Sequence, residues 1–141
     1  DKALVKARKA WDYLIQQPEL TYENIMQTHR ILMRGLLKPD WVGTRRKIKV
    51  WVGNRECPNP GQVTRMLFMW LATANDKKSE EQIKEDHIRF EHIHPFVDGN
   101  GRIGRIIMNW QRVKSGHDIQ VIYDSQKMFY YAWFRRREVI I

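Results

Sequence analysis

The chain has 141 residues, one cysteine and a formal net charge of +9, from 25 Lys and Arg against 16 Asp and Glu. That length suits one domain with one core, here read as residues 1–141. The single Cys57 excludes an intrachain disulfide and fits a reducing compartment, and no apolar run approaches a membrane span. A hydrophobic content of 43% argues against disorder, which leaves the basic excess as the feature to be placed.

Apolar residues at helical spacing (Leu4, Ala7, Trp11, Leu14) predict a first helix from Ala3 to about Ile15, broken at Gln17-Pro18-Glu19. Thr21 is the candidate cap of a second helix running to about Leu37. Ile25, His29, Leu32 and Met33 share its inner face, and His29 reads as a core histidine with satisfied nitrogens. Lys47-Ile48-Lys49-Val50-Trp51-Val52 is strand-like and is closed by Gly53-Asn54. One hairpin cannot supply a sheet core, so this patch reads as an exposed flap. Further helices are predicted from Val63 to about Ala74, Glu80 to His92, Arg102 to about Lys114, and about Ser125 through Arg135-Arg136-Arg137. The class is therefore all-α, a helical bundle with a small β-hairpin flap.

The densest signal is His94-Pro95-Phe96-Val97-Asp98-Gly99-Asn100-Gly101-Arg102-Ile103-Gly104-Arg105. Gly99, Asn100 and Gly101 tolerate positive φ. Successive N–H groups in such a turn, with the start of the next helix, form an anion nest. Arg102 and Arg105 are three apart on that helix and reach phosphate oxygens above it. Asp98 offers a hard oxygen to Mg²⁺, which takes one or two carboxylates plus substrate phosphates. His94, at the lip, is a candidate base. Singly, these are an ordinary turn, a solvated arginine pair and a helix-end histidine. Together within twelve residues they are the parts for phosphoryl or nucleotidyl transfer. His87, His92 and His94 do not make a metal set, because helix positions two apart diverge by about 200° and no cysteine lies near. His117 reads as solvated, and Cys57 as unreactive for want of a base.

His94 to Arg105 resembles the Fic domain signature, His-Pro-Phe-x-Asp/Glu-Gly-Asn-Gly-Arg-x-x-Arg, at every fixed position. His87 to Ile93 is similar to the helix that leads into the family's loop. Gly43-Thr44-Arg45-Arg46 with Val50 to Gly53 is similar to its flap region. Pro58 and Pro60, and Tyr130-Tyr131, extend the likeness over residues 20–135. The resemblance implies a Fic-like helical bundle with its flap beside the active-site loop. It implies transfer of AMP from ATP to a Tyr, Thr or Ser hydroxyl of a target protein, with release of pyrophosphate: post-translational AMPylation.

By the same resemblance His94 is the general base and Asp98 holds Mg²⁺ at the α- and β-phosphates. Gly99, Asn100 and Gly101, with the Asn100 side chain, receive the α-phosphate. Arg102 takes the β-phosphate region, Arg105 the γ-phosphate, and Phe96 anchors the loop. Lys47, Ile48, Lys49, Val50, Trp51, Val52 and Gly53 dock the target by strand addition. Tyr130 or Tyr131 borders the adenine, though each also reads as core. Gly101, where a phosphotransferase branch has Lys, favours AMP transfer. The family's inhibitory pattern, Ser/Thr-x-x-x-Glu-Gly/Asn, has its nearest match at Glu23-Asn24, but Glu19 stands at the Ser/Thr position. With Asp1 rather than Met first, that inhibitory helix is expected upstream or on a separate antitoxin. Glu138 stands about where some relatives carry an adenine-contacting Asn.

Competing readings are a phosphotransferase or a de-AMPylase using the same loop and, outside enzymes, a basic nucleic-acid-binding or interaction module, for which no motif is evident. Expected partners are ATP and a hydroxyl-bearing protein, with no nucleic acid and no membrane, in the cytoplasm or, for an effector, a host cytosol. The charge then divides: Arg102 and Arg105 serve the triphosphate, while Arg45, Arg46, Lys47, Lys49 and Arg55 crowd the flap to steer an acidic target or draw in ATP.

Overall fold

The computed structural model describes residues 2–122 and 126–140. The order is α1 (Lys2–Leu14), α2 (Tyr22–Met33), a 3₁₀ turn (Pro39–Trp41), β1 (Trp51–Val52), β2 (Arg55–Glu56), α3 (Pro60–Ala74), α4 (Glu80–Ile93), α5 (Asn100–Lys114) and α6 (Lys127–Ile140). The all-α class with one small hairpin stands. Ser125, and the side chains of Arg135, Arg136, Arg137 and Glu138, lie outside the described residues, as does Asp1.

Two helices start on reciprocal capping boxes. Thr21 Oγ1 accepts from Asn24 N–H (3.1 Å) while Asn24 Oδ1 accepts from Thr21 N–H (2.8 Å). Ser79 and Gln82 repeat the arrangement at α4. The inner faces of α1 to α5 form one cluster that includes Leu14, Ile25, Leu32, Leu67, Phe90, Phe96, Ile103 and Ile107. Buried polar groups are paired across it. Trp70 Nε1 donates to the Asp86 carbonyl (2.8 Å), and Asp86 Oδ2 accepts from Lys78 (2.6 Å) and Gln111 (3.0 Å). Among the described residues no helix is long and apolar enough to cross a membrane.

The boundaries differ from expectation where backbone geometry intervenes. α2 stops at Met33 rather than Leu37, because Arg34 turns extended (ψ 127°) and Gly35 takes φ 80°. α3 starts at Pro60, since proline at the first helical position loses no hydrogen bond. The strands are two residues each, paired Trp51↔Glu56 and Val52↔Arg55, so 47–50 is not strand. Gly53 opens the intervening turn at φ 61°. α5 starts at Asn100, which puts Asn100 and Gly101 in its first turn instead of the loop. The left-handed conformations beside the loop belong to His94 (φ 50°) and Gly99 (φ 84°).

Candidate active site

The loop between α4 and α5 is fastened from four sides. Asn100 closes it from within: its Oδ1 accepts from Phe96 N–H (2.9 Å) and its Nδ2 donates to the Phe96 carbonyl (2.8 Å). Phe96 is fully buried and stacks on the His29 ring, with centroids 3.8 Å apart. His29 Nδ1 accepts from Gly43 N–H (2.9 Å), so its proton is on Nε2, which donates to the Asp98 carbonyl (2.9 Å). Burial lowers this ring to about 4 and keeps it neutral. Gly99 lies against α2, where a Cβ would sit 2.7 Å from Met33 Sδ.

Arg46 is the fourth fastening. The residue is 1% exposed. It donates to the carbonyls of His94 (2.6 Å), Pro58 (2.6 Å), Ile48 (3.1 Å) and Ile93 (3.3 Å), while Arg46 N–H donates to the Pro95 carbonyl (2.8 Å). Its partners are carbonyl dipoles, including those at the end of α4, where a cation is favoured. Arg46 is therefore not part of the flap's steering charge: it ties the base of the flap to the backbone of His94.

His94 itself is half-buried in the left-handed region, uncommon for a residue with a Cβ. Burial, then Arg46 and Arg55, lower its pKa to about 4 against the opposing pull of the Glu91 backbone and the Asp98 carboxylate. The imidazole is thus neutral at pH 7, the form that accepts a proton.

Beside it, α5 begins without a side-chain cap and with no acidic residue in its first turn. Its first N–H groups are left for an anion. Arg102 is exposed, with Nη1 3.7 Å from Met33 Sδ. Arg105 folds back beside Gly101, where a Cβ would lie 3.2 Å from Nη1, and its guanidinium stands 5.9 Å from the Tyr130 ring centre. Asp98 is exposed and commits Oδ1 to Gly99 N–H (2.8 Å).

Of the two tyrosines, Tyr130 is 5% exposed and pairs its hydroxyl with His87 Nε2 (2.8 Å), whereas Tyr131 is 51% exposed. Lys47, Ile48, Lys49, Trp51, Val52 and Gly53 are exposed and Val50 half-buried. Lys49 pairs with Glu56 (3.1 Å). Between the flap and α4 lies a pocket of about 430 Å³, lined by Lys49, Glu56, Cys57, Pro58, Asn59 and His92. His117 is bonded to the Lys78 carbonyl (2.9 Å) rather than simply solvated.

Sequence reasoning named Arg46 only as one of the flap charges, since nothing in a basic run distinguishes it from its neighbours. It passed over Glu91 and its buried Oε1, whose signal was present: a carboxyl four residues after His87 on the inner face of α4.

A Fic/DOC family model matches residues 19–111. Proteins named protein adenylyltransferase Fic from Drosophila grimshawi and Drosophila virilis are 30% and 31% identical over 127 residues. Each match covers 86% of this chain and 26% of the relative, so the chain spans about a quarter of their length. Among solved structures, a Fic domain containing signaling protein from Bacteroides thetaiotaomicron superposes with a TM-score of 0.83 at 21% identity, over 98% of this chain and 57% of that one. A Fic-1 fragment from C. elegans gives 0.80 at 23% identity, over 96% and 42%. The chain belongs to the Fic/DOC family.

Proposed function

We propose that this chain transfers AMP from ATP to a hydroxyl side chain of a target protein and releases pyrophosphate. The observation that carries the reading is the juxtaposition of a neutral His94 with an uncapped, acid-free helix start bearing Arg102 and Arg105. The names of the relatives support the same class of reaction.

In this reading the N–H groups that open α5 receive the α-phosphate, and charge that builds there meets donors already in place. Arg102 and Arg105 grip the outer phosphates. The Asn100 amide, bonded twice to Phe96, acts by holding the loop rather than by gripping phosphate. Its role there is positional. His94 accepts the target hydroxyl proton. The negative triphosphate favours the imidazolium, so binding raises the pKa of His94 towards neutrality as the base is needed.

Asp98 suits a Mg²⁺ ion that draws most of its shell from phosphate and water, since it offers one hard carboxylate. Among the described residues no group of three His, Cys, Asp or Glu forms a dedicated cage. Mg²⁺ bound with the nucleotide would supply charge neutralisation on the phosphates. The exposed flap, with Trp51 and Val52 outward, adds an extended target segment as a further strand. Tyr130, beside Arg105, is the better placed of the two tyrosines to border the nucleotide.

Incubation with α-labelled ATP, Mg²⁺ and a lysate should label protein, and γ-labelled ATP should not. His94→Ala should lower the labelling rate by about 10²–10⁴. Equal labelling by His94→Ala would remove the base assignment. γ label without α label would move the reaction to phosphoryl transfer.

A further inference from the structure

Glu91 lies on α4 against the arginine-bearing start of α5. Its Oε1 is buried without a hydrogen-bond partner. A Cβ at Gly104 would stand 1.7 Å from that oxygen, so glycine at 104 is what lets the carboxyl cross α5. The titratable groups around it come from three helices: His87 on α4, Arg105 on α5 and Tyr130 on α6. Burial lowers His87 to about 4 and raises Tyr130 to about 12, so both are neutral at pH 7 and Arg105 is the charge acting on Glu91.

We propose that Glu91 is a specificity residue for the outermost phosphate: seated on Gly104, its carboxyl sets how much of the Arg105 charge is available to an anion. The inference rests on the nucleotide reading above. Burial raises the Glu91 pKa to about 8, with Arg105 pulling the other way. Protonated, the carboxyl leaves the guanidinium uncompensated. Ionised, it competes with phosphate for the same cation in a low dielectric.

The coupling is reciprocal. An anion on Arg105 disfavours the Glu91 carboxylate, so a nucleotide long enough to reach Arg105 takes up protons as it binds. AMP, which does not reach it, takes up none. Preference for ATP over AMP therefore falls as pH rises through about 8.

Isothermal titration of the chain with Mg²⁺ and either ATP or AMP, in buffers of different ionisation enthalpy, reads this directly. ATP should bind with uptake of a fraction of a proton near pH 8. Its affinity should fall by at most about tenfold per pH unit there. AMP should show no uptake. The isosteric Glu91→Gln should lose the uptake and the pH dependence of ATP affinity centred near pH 8. ATP binding without uptake in the wild type, or unchanged uptake in Glu91→Gln, overturns the role of Glu91 and leaves the nucleotide reading standing. A wild-type chain that binds no ATP removes both. His94→Ala removes the other group whose titration the triphosphate shifts; it should keep the uptake of ATP-linked protons near pH 8, and loss of that uptake overturns the role of Glu91 even if Glu91→Gln misfolds.

Discussion

Helices α4 and α5 pack on one another, yet their starts are built in opposite ways. α4 opens with a complete capping box at Ser79 and Gln82 and carries Glu80 and Glu81 in its first turn. At its other end Arg46 covers the carbonyls of Ile93 and His94. α5 opens with no side-chain cap and no acid, and with Arg102 and Arg105 close by. A cap is worth about 1 kcal/mol, and a first-turn acid about 0.3–1 kcal/mol more. That stabilisation is withheld where a phosphate would take the place of the cap, in keeping with local rules being broken at functional sites.

The clamp on α4 should give the largest effect. Arg46→Met keeps part of the stem but strands buried carbonyls, so denaturant unfolding should show a loss of at least about 2 kcal/mol. Full stability with normal labelling would mean that the clamp is dispensable.

The start of α5 offers the sharpest contrast. Gly101→Glu places an acid in the bare first turn. It should raise stability by about 0.5–1 kcal/mol through propensity and the helix dipole. The same change should weaken ATP binding by about tenfold or more, because a charged contact is repelled. Ser79→Ala on α4 should do the reverse, costing about 1 kcal/mol and leaving ATP affinity unchanged. If Gly101→Glu bound ATP normally, the bare helix start would be incidental.

The same comparison extends to the pH dependence of stability. His29, His87 and His94 have folded values lowered from 6.5 to about 4. The unfolded chain binds more protons in that window, so their contribution is complete above 6.5 and is lost as pH falls towards 4. Glu91 has the opposite sign. Raised from 4.5 to about 8, it contributes most below 4.5, and that contribution is lost as pH rises through 8. Melting temperature should therefore peak near pH 6.5, and Glu91→Gln should flatten the fall on the alkaline side.

Much of this could be read in the chain. The helices were legible because their apolar residues recur at helical spacing, and Thr21 marked its own cap. The hairpin was legible in place but not in extent: Lys47 to Val50 looks like strand, yet pairing reaches only Trp51 and Val52. The end of α2 was missed because apolar residues continue to Leu37 while the backbone turns at Gly35. The resemblance gives the Asn100 side chain to phosphate, whereas in the fold both ends of its amide bond to Phe96.

What the sequence alone determined is therefore what is local: twelve consecutive residues that put a histidine, a carboxylate, a glycine-bearing turn and two arginines within one loop and the helix start that follows it. Tertiary structure decided which charges serve that site and which support it. Arg46 sits beside Arg45 and Lys47 in the chain and differs from them only because the carbonyls of Pro58, Ile93 and His94 converge on it. Glu91 meets the charge of Arg105 only across Gly104, on a neighbouring helix. A charge's function depends on its burial and its partners, and both are set by contacts between residues distant in the chain.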